Sequence, residues 1–131
     1  MDKNSLIVGL NGVLTNMSRK ELYRRLAVFY RAFINSTESR EKARECAHLI
    51  EEAAISINDP TMGIMVLLGF LVGQIEMPEY MASHETDVLD GIKYIVYGDP
   101  LYESLLTEEE RTLASELASD LFRDDVSGAL R

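Results

Sequence analysis

The chain has one cysteine, no tryptophan, three prolines and two histidines in its 131 residues. A single thiol, Cys46, excludes an intramolecular disulfide and a thiolate-rich zinc or iron–sulfur centre. Such a residue on a helix is expected to be a small buried hydrophobe, in a chain at home in the reducing cytoplasm. Neither histidine is spaced against a nucleophile, so no acyl-transfer triad can be assembled. Phosphate-binding glycine loops and the Gly-x-Ser-x-Gly elbow are missing as well. The apolar, charge-free stretch at residues 60–75 spans ~24 Å as a helix, short of a bilayer. Met1-Asp2-Lys3-Asn4 lacks the basic lead-in of a secretory signal. The expectation is a protein with no catalytic residues, no cofactor and no metal.

Positive charge is also scarce: 13 Lys and Arg face 22 Asp and Glu, for a formal charge of −9. It is unevenly placed. Residues 1–35 hold six basic and two acidic side chains, whereas the remaining 96 hold seven basic and twenty acidic ones. An acidic surface of this kind disfavours general nucleic-acid binding and favours a basic partner.

What is present is helical periodicity. No window alternates with a period of two, and the Asn11-Gly12 and Asp90-Gly91 pairs fall inside helical patterns. A first helix is predicted over about 5–15. Ser18-Arg-Lys-Glu21 then reads as a capping box. It opens a basic helix to about Asn35, with Leu22, Leu26, Phe29 and Phe33 inward, Tyr23, Tyr30 and Ile34 on a flank, and Lys20, Arg24 and Arg31 outward. A third helix, from about 36 to 58, is expected to turn Ala43, Cys46, Ala47, Ile50, Ala53, Ala54 and Ile57 inward. Glu41, Glu45, His48 and Glu52 lie on its outer face. Asp59-Pro60 is a helix start, and the uncharged helix it opens is expected at the centre, wrapped by the others. One or two helices cover 78–97, a short turn follows over 101–106, and Thr107-Glu-Glu-Glu110 is a second capping box. Leu113, Ala114, Leu117, Ala118 and Leu121 then face the core, and 124–131 is a frayed tail. The fold class is therefore all-α: one domain, 1–131, of six to seven helices around an apolar helix at about 60–76.

Two polar clusters share part of their spacing with metal-site motifs. Glu45-Cys-Ala-His48 has the Glu-x-x-His spacing of di-iron bundles, but no second copy exists and both side chains point away from the apolar stripe. His84-Glu85 begins a zinc-protease motif whose second histidine is missing. With Asp87 and Asp90 it reads as an acidic helix start instead. Acid pairs such as Glu51-Glu52 read as solvated faces.

The segment Leu14-Thr-Asn-Met-Ser-Arg-Lys-Glu-Leu-Tyr-Arg-Arg-Leu26 resembles the turn and recognition helix of helix-turn-helix DNA-binding regulators, with Thr15 where that family usually has an apolar residue. Gly12, Asn16 and Ser18 would take the small, turn and cap positions. The resemblance implies that Arg19, Lys20, Arg24 and Arg25 face DNA while Leu22 and Leu26 face the core. The preferred reading of the same residues is a basic helix that answers acidic neighbours in its own or another chain.

The expected function is therefore protein–protein interaction, as a regulator, inhibitor, immunity protein or chaperone-like adaptor. The expected contact residues are Lys20, Arg24 and Arg31 at one pole and Glu41, Glu45, Glu52, Glu109, Glu116 and Asp120 at the other, with a charge-paired homodimer possible. DNA binding is the first alternative. An apolar-ligand or membrane-interacting protein built on the Met-rich uncharged helix is the second.

Overall fold

A computed structural model of the chain describes residues 3–35, 41–57, 59–76 and 89–122. They form an all-α bundle without a strand among the described residues. The order is α1 (Lys3–Asn16), α2 (Arg19–Asn35), α3 (Glu41–Ile57), α4 (Pro60–Glu76), α5 (89–97), a 3₁₀ turn (Pro100–Leu105) and α6 (Glu108–Leu121). The readings placed on His84, Glu85 and Asp87, on the helix before residue 89, and on the 124–131 tail lie outside the described residues.

The helix starts are set locally. Ser18 Oγ accepts from the Glu21 amide at 3.2 Å, while the Glu21 carboxylate is taken up by two arginines. Asp59 Oδ1 caps α4 by accepting from Met62 N at 2.8 Å, with Pro60 at the first helical position. Thr107 and Glu110 make the full reciprocal capping box: Glu110 N donates to Thr107 Oγ1 at 3.2 Å and Thr107 N donates to Glu110 Oε1 at 2.9 Å. Helix α5 ends at Gly98, whose φ of +73° is a left-handed conformation that costs glycine little. Its N–H donates to Tyr94 O at 2.6 Å, closing the last turn.

The centre of the bundle belongs to α2. It packs against α1, α3, α4, the 3₁₀ turn and α6. Leu22, Tyr23, Leu26, Val28, Phe29, Tyr30, Ala32 and Phe33 are buried along it. Tyr23 and Tyr30 were expected on a flank; they are core residues. Tyr30 donates its buried hydroxyl to Leu67 O at 2.7 Å, tying α2 to α4.

Helix α4, uncharged up to Ile75, is placed differently from the expectation of a rod enclosed on all sides. Gly63, Ile64, Leu67 and Leu71 are buried, and the helix packs on α2 and α3. Met62, Met65 and Val72 remain 48%, 61% and 45% exposed on the outer side. Absence of charge marks a helix that can be buried, but packing needs neighbours on every side, and the aromatic α2 occupies that position.

The facing of α3 is also corrected. Ala47 and Ala54 are buried and Ile50 is half-buried, but Cys46, Ala53 and Ile57 are exposed. The side chain of Ala43 lies outside the described residues. In place of Cys46 and Ala53, the helix turns Arg44 and Glu51 partly inward. A stripe of alanines gains little from burial per residue, so it fixes the helix rotation weakly, and an ion pair across the interface can decide it. On α6 the alanines Ala114 and Ala118 are buried, Leu117 and Leu121 are half-buried, and Leu113 is 51% exposed. Small residues here bring α6 close to α2.

Candidate partner-binding groove

Every arginine of α2 is engaged inside the chain. Arg24 holds Glu21 at 2.6 Å and reaches Glu103 of the 3₁₀ turn at 3.2 Å. Arg25 donates to Glu21 at 3.2 Å and to Ile95 O of α5 at 2.9 Å. Arg31 is paired with Glu51 of α3 and stands 3.6 Å from Glu110 of α6. Arg19 donates to Thr61 Oγ1 at 3.0 Å and lies 5.8 Å above the Phe122 ring. Lys20 is half-buried. The positive end of the sequence thus folds into the negative remainder.

The ion pairs shift their carboxylates in opposite directions. The hydrogen bond from Arg24 holds Glu21 below the usual carboxylate range, with Arg25 assisting. Burial pushes Glu51 up, against the opposing pull of Arg31 and His48. Burial acts on Glu110 in the same sense but is outweighed there by hydrogen bonds from Thr107 and Asn35 and by Arg31, so Glu110 is lowered.

Arg31, Glu51 and Glu110 close one end of a groove of about 220 Å³. Its walls are Ala54 and Ile55 of α3 and Leu113, Ala114 and Leu117 of α6; Tyr23 and Ala27 of α2 and Leu67 of α4 complete the lining. The α6 positions recur at three, four and seven residues from Glu110, so that wall runs along about two turns, ~10 Å. Ile55 and Leu113 stand half-exposed in the walls. Glu51 Oε1 accepts from Arg31. Tyr23 carries a phenolic hydroxyl and is only 3% exposed. Burial, with the Glu51 charge beside it, raises the pKa of that hydroxyl.

The acidic residues expected to meet a partner stand on the two helices that form the groove walls. Glu45 and Glu52 are exposed on α3, with Glu52 3.2 Å from His48. Glu109, Glu116 and Asp120 are exposed on α6. Glu41 begins α3, but its side chain lies outside the described residues. Lys20, Arg24 and Arg31 do not form a separate outward pole, because Arg24 and Arg31 are bound to acids of other elements.

Glu51, Glu110 and Tyr23 are the polar groove residues that the sequence reading missed. A signal existed for Glu51: Ala47, Glu51 and Ala54 recur at four and three, an inward spacing with an acid in the middle. Among the described residues no group of three potential metal ligands converges, and no helix is long and apolar enough to cross a membrane. The exposed thiol of Cys46 stands outside the groove lining.

No family model, curated protein or solved structure matches the chain.

Proposed function

We propose that this chain is a non-catalytic helical protein that works by binding another protein with a basic surface, in the manner of a regulator, inhibitor or adaptor. The observation that carries the reading is the apolar groove between α3 and α6, two helices whose outer faces are acidic. Apolar area supplies affinity, and the surrounding acids supply orientation and a fast encounter. The internal capture of Arg24, Arg25 and Arg31 supports it further, since the charge left facing outward on α3 and α6 is predominantly negative. Function in the cytoplasm, consistent with a lone cysteine, belongs to the same proposal.

Affinity capture from host lysate tests it when run in parallel with a variant carrying Glu45→Lys, Glu52→Lys, Glu109→Lys and Glu116→Lys. The expected result is a basic protein retained by the parent and lost by the variant. Identical sets of retained proteins would refute the reading. DNA contact through Arg19, Lys20, Arg24 and Arg25 requires Arg24 and Arg25 to leave Glu21, Glu103 and the Ile95 carbonyl. A salt-sensitive shift of duplex DNA by the parent, lost in Arg24→Glu, Arg25→Glu, is the result that would favour it. A homodimer joined through the two charged poles would likewise have to compete with those internal pairs. Light scattering at low and high salt reads it directly.

A further inference from the structure

We infer that the groove between α3 and α6 receives an amphipathic basic helix of the partner, which seats an apolar side chain on Ala54, Leu113 and Leu117 and pairs a lysine or arginine with Glu51. The inference rests on the protein-binding reading above and names the partner's chemistry. Two observations meet at this place. The lining away from the charged end is apolar and has two half-exposed side chains, Ile55 and Leu113, which a docked helix would cover. The charged end holds one cation against two carboxylates, leaving a net negative charge that an incoming cation neutralises. A wall two turns long matches a helix laid along it, the groove-binding mode of amphipathic segments. An anionic ligand is disfavoured because Arg31 is already shared by Glu51 and Glu110.

Fluorescence anisotropy at fixed salt tests this with two probes: a short fluorescein-labelled amphipathic helix of leucine and lysine, and the same peptide with its lysines acetylated. The full chain is expected to bind the lysine peptide. Glu51→Gln should weaken binding about tenfold, and the acetylated peptide should bind the parent about as weakly. Ala114→Phe fills the groove and should also weaken binding. Leu113→Ser does the same from an exposed position that leaves folding intact, so a fold defect in Ala114→Phe cannot hide the answer. If Glu51→Gln and Leu113→Ser bind like the parent while Glu109→Lys, Glu116→Lys abolishes binding, the outer face of α6 is the contact. The groove inference then falls and the wider protein-binding reading stands. Absence of binding by the parent overturns the groove inference as well, and the lysate capture decides the wider reading independently.

Discussion

Replacing Gly91 by alanine should destabilise the bundle, against the usual trend for glycine in a helix. A Cβ at this position would lie 2.1 and 2.2 Å from Cδ1 and Cε1 of Phe29, and 3.3 Å from the Tyr102 hydroxyl. Phe29 has no room to retreat. It is fully buried, set edge-on to Tyr30 at 5.7 Å and tilted against Phe33 at 5.8 Å. Relief therefore requires α5 to move away by roughly 1.5 Å, the gap between the built contact and an ordinary carbon–carbon separation. Overpacking of this kind costs about 1–3 kcal/mol, and the helix-propensity gain of alanine returns about 0.5–1 kcal/mol. A net loss of about 1–2 kcal/mol is expected in urea unfolding. Gly69→Ala is the matched control. Its Cβ would meet nothing within 4 Å on the exposed side of α4, so propensity alone should leave that variant neutral or more stable. In a Phe29→Leu background the Gly91→Ala cost should shrink, because the two changes act on one contact. Equal stability of Gly91→Ala and Gly69→Ala, or strict additivity with Phe29→Leu, would refute the packing account.

Three further outcomes follow from named contacts. Thr107→Ala removes the hydroxyl that caps Glu110 N and should cost about 0.5–2 kcal/mol in urea unfolding; Thr107→Ser should restore most of it. Tyr30→Phe breaks the buried bond to Leu67 O and should cost about 0.5–1.5 kcal/mol, with the far-ultraviolet circular dichroism unchanged at low denaturant. For pH, Glu51 has a folded pKa raised by burial, so its contribution is full below the unfolded value near 4.5 and is lost as pH rises through the folded value. The stability of Glu51→Gln relative to the parent should therefore improve as pH is raised from about 4.5 towards neutrality. A flat difference would mean that Glu51 is fully solvated. Glu21, held low by Arg24, has the opposite sign: its contribution is present above the unfolded value and is lost as the pH falls below it.

How much of this was legible in the sequence depended on the range of each interaction. The starts at Asp59-Pro60 and at Thr107–Glu110 were readable because a cap and its amide lie three residues apart. The class and the order of helices followed from periodicity for the same reason. The rotation of α3 was not readable: its inward stripe is mostly alanine, and Glu51 turns in because Arg31, on another helix, is there to meet it. Nor was the central place of α2, which depends on Tyr23 and Tyr30 being covered by neighbours distant in the chain. The acids of the predicted contact surface were found, but the groove beside them was not. Its lining comes from four helices, and Leu113 and Leu117, assigned to the core, stand partly open along it.

Arg24, Arg25 and Arg31 of α2 point to four separate elements, α3, α5, the 3₁₀ turn and α6, from one rigid rod. A helix displaced by a single residue along its sequence turns about 100°, which would carry Arg24, Arg25 and Arg31 away from their acceptors together. The three side chains thus behave like the teeth of a key. The same turn would carry Phe29, Tyr30 and Phe33 out of the core, so the polar pairings and the aromatic packing specify the same alignment of α2.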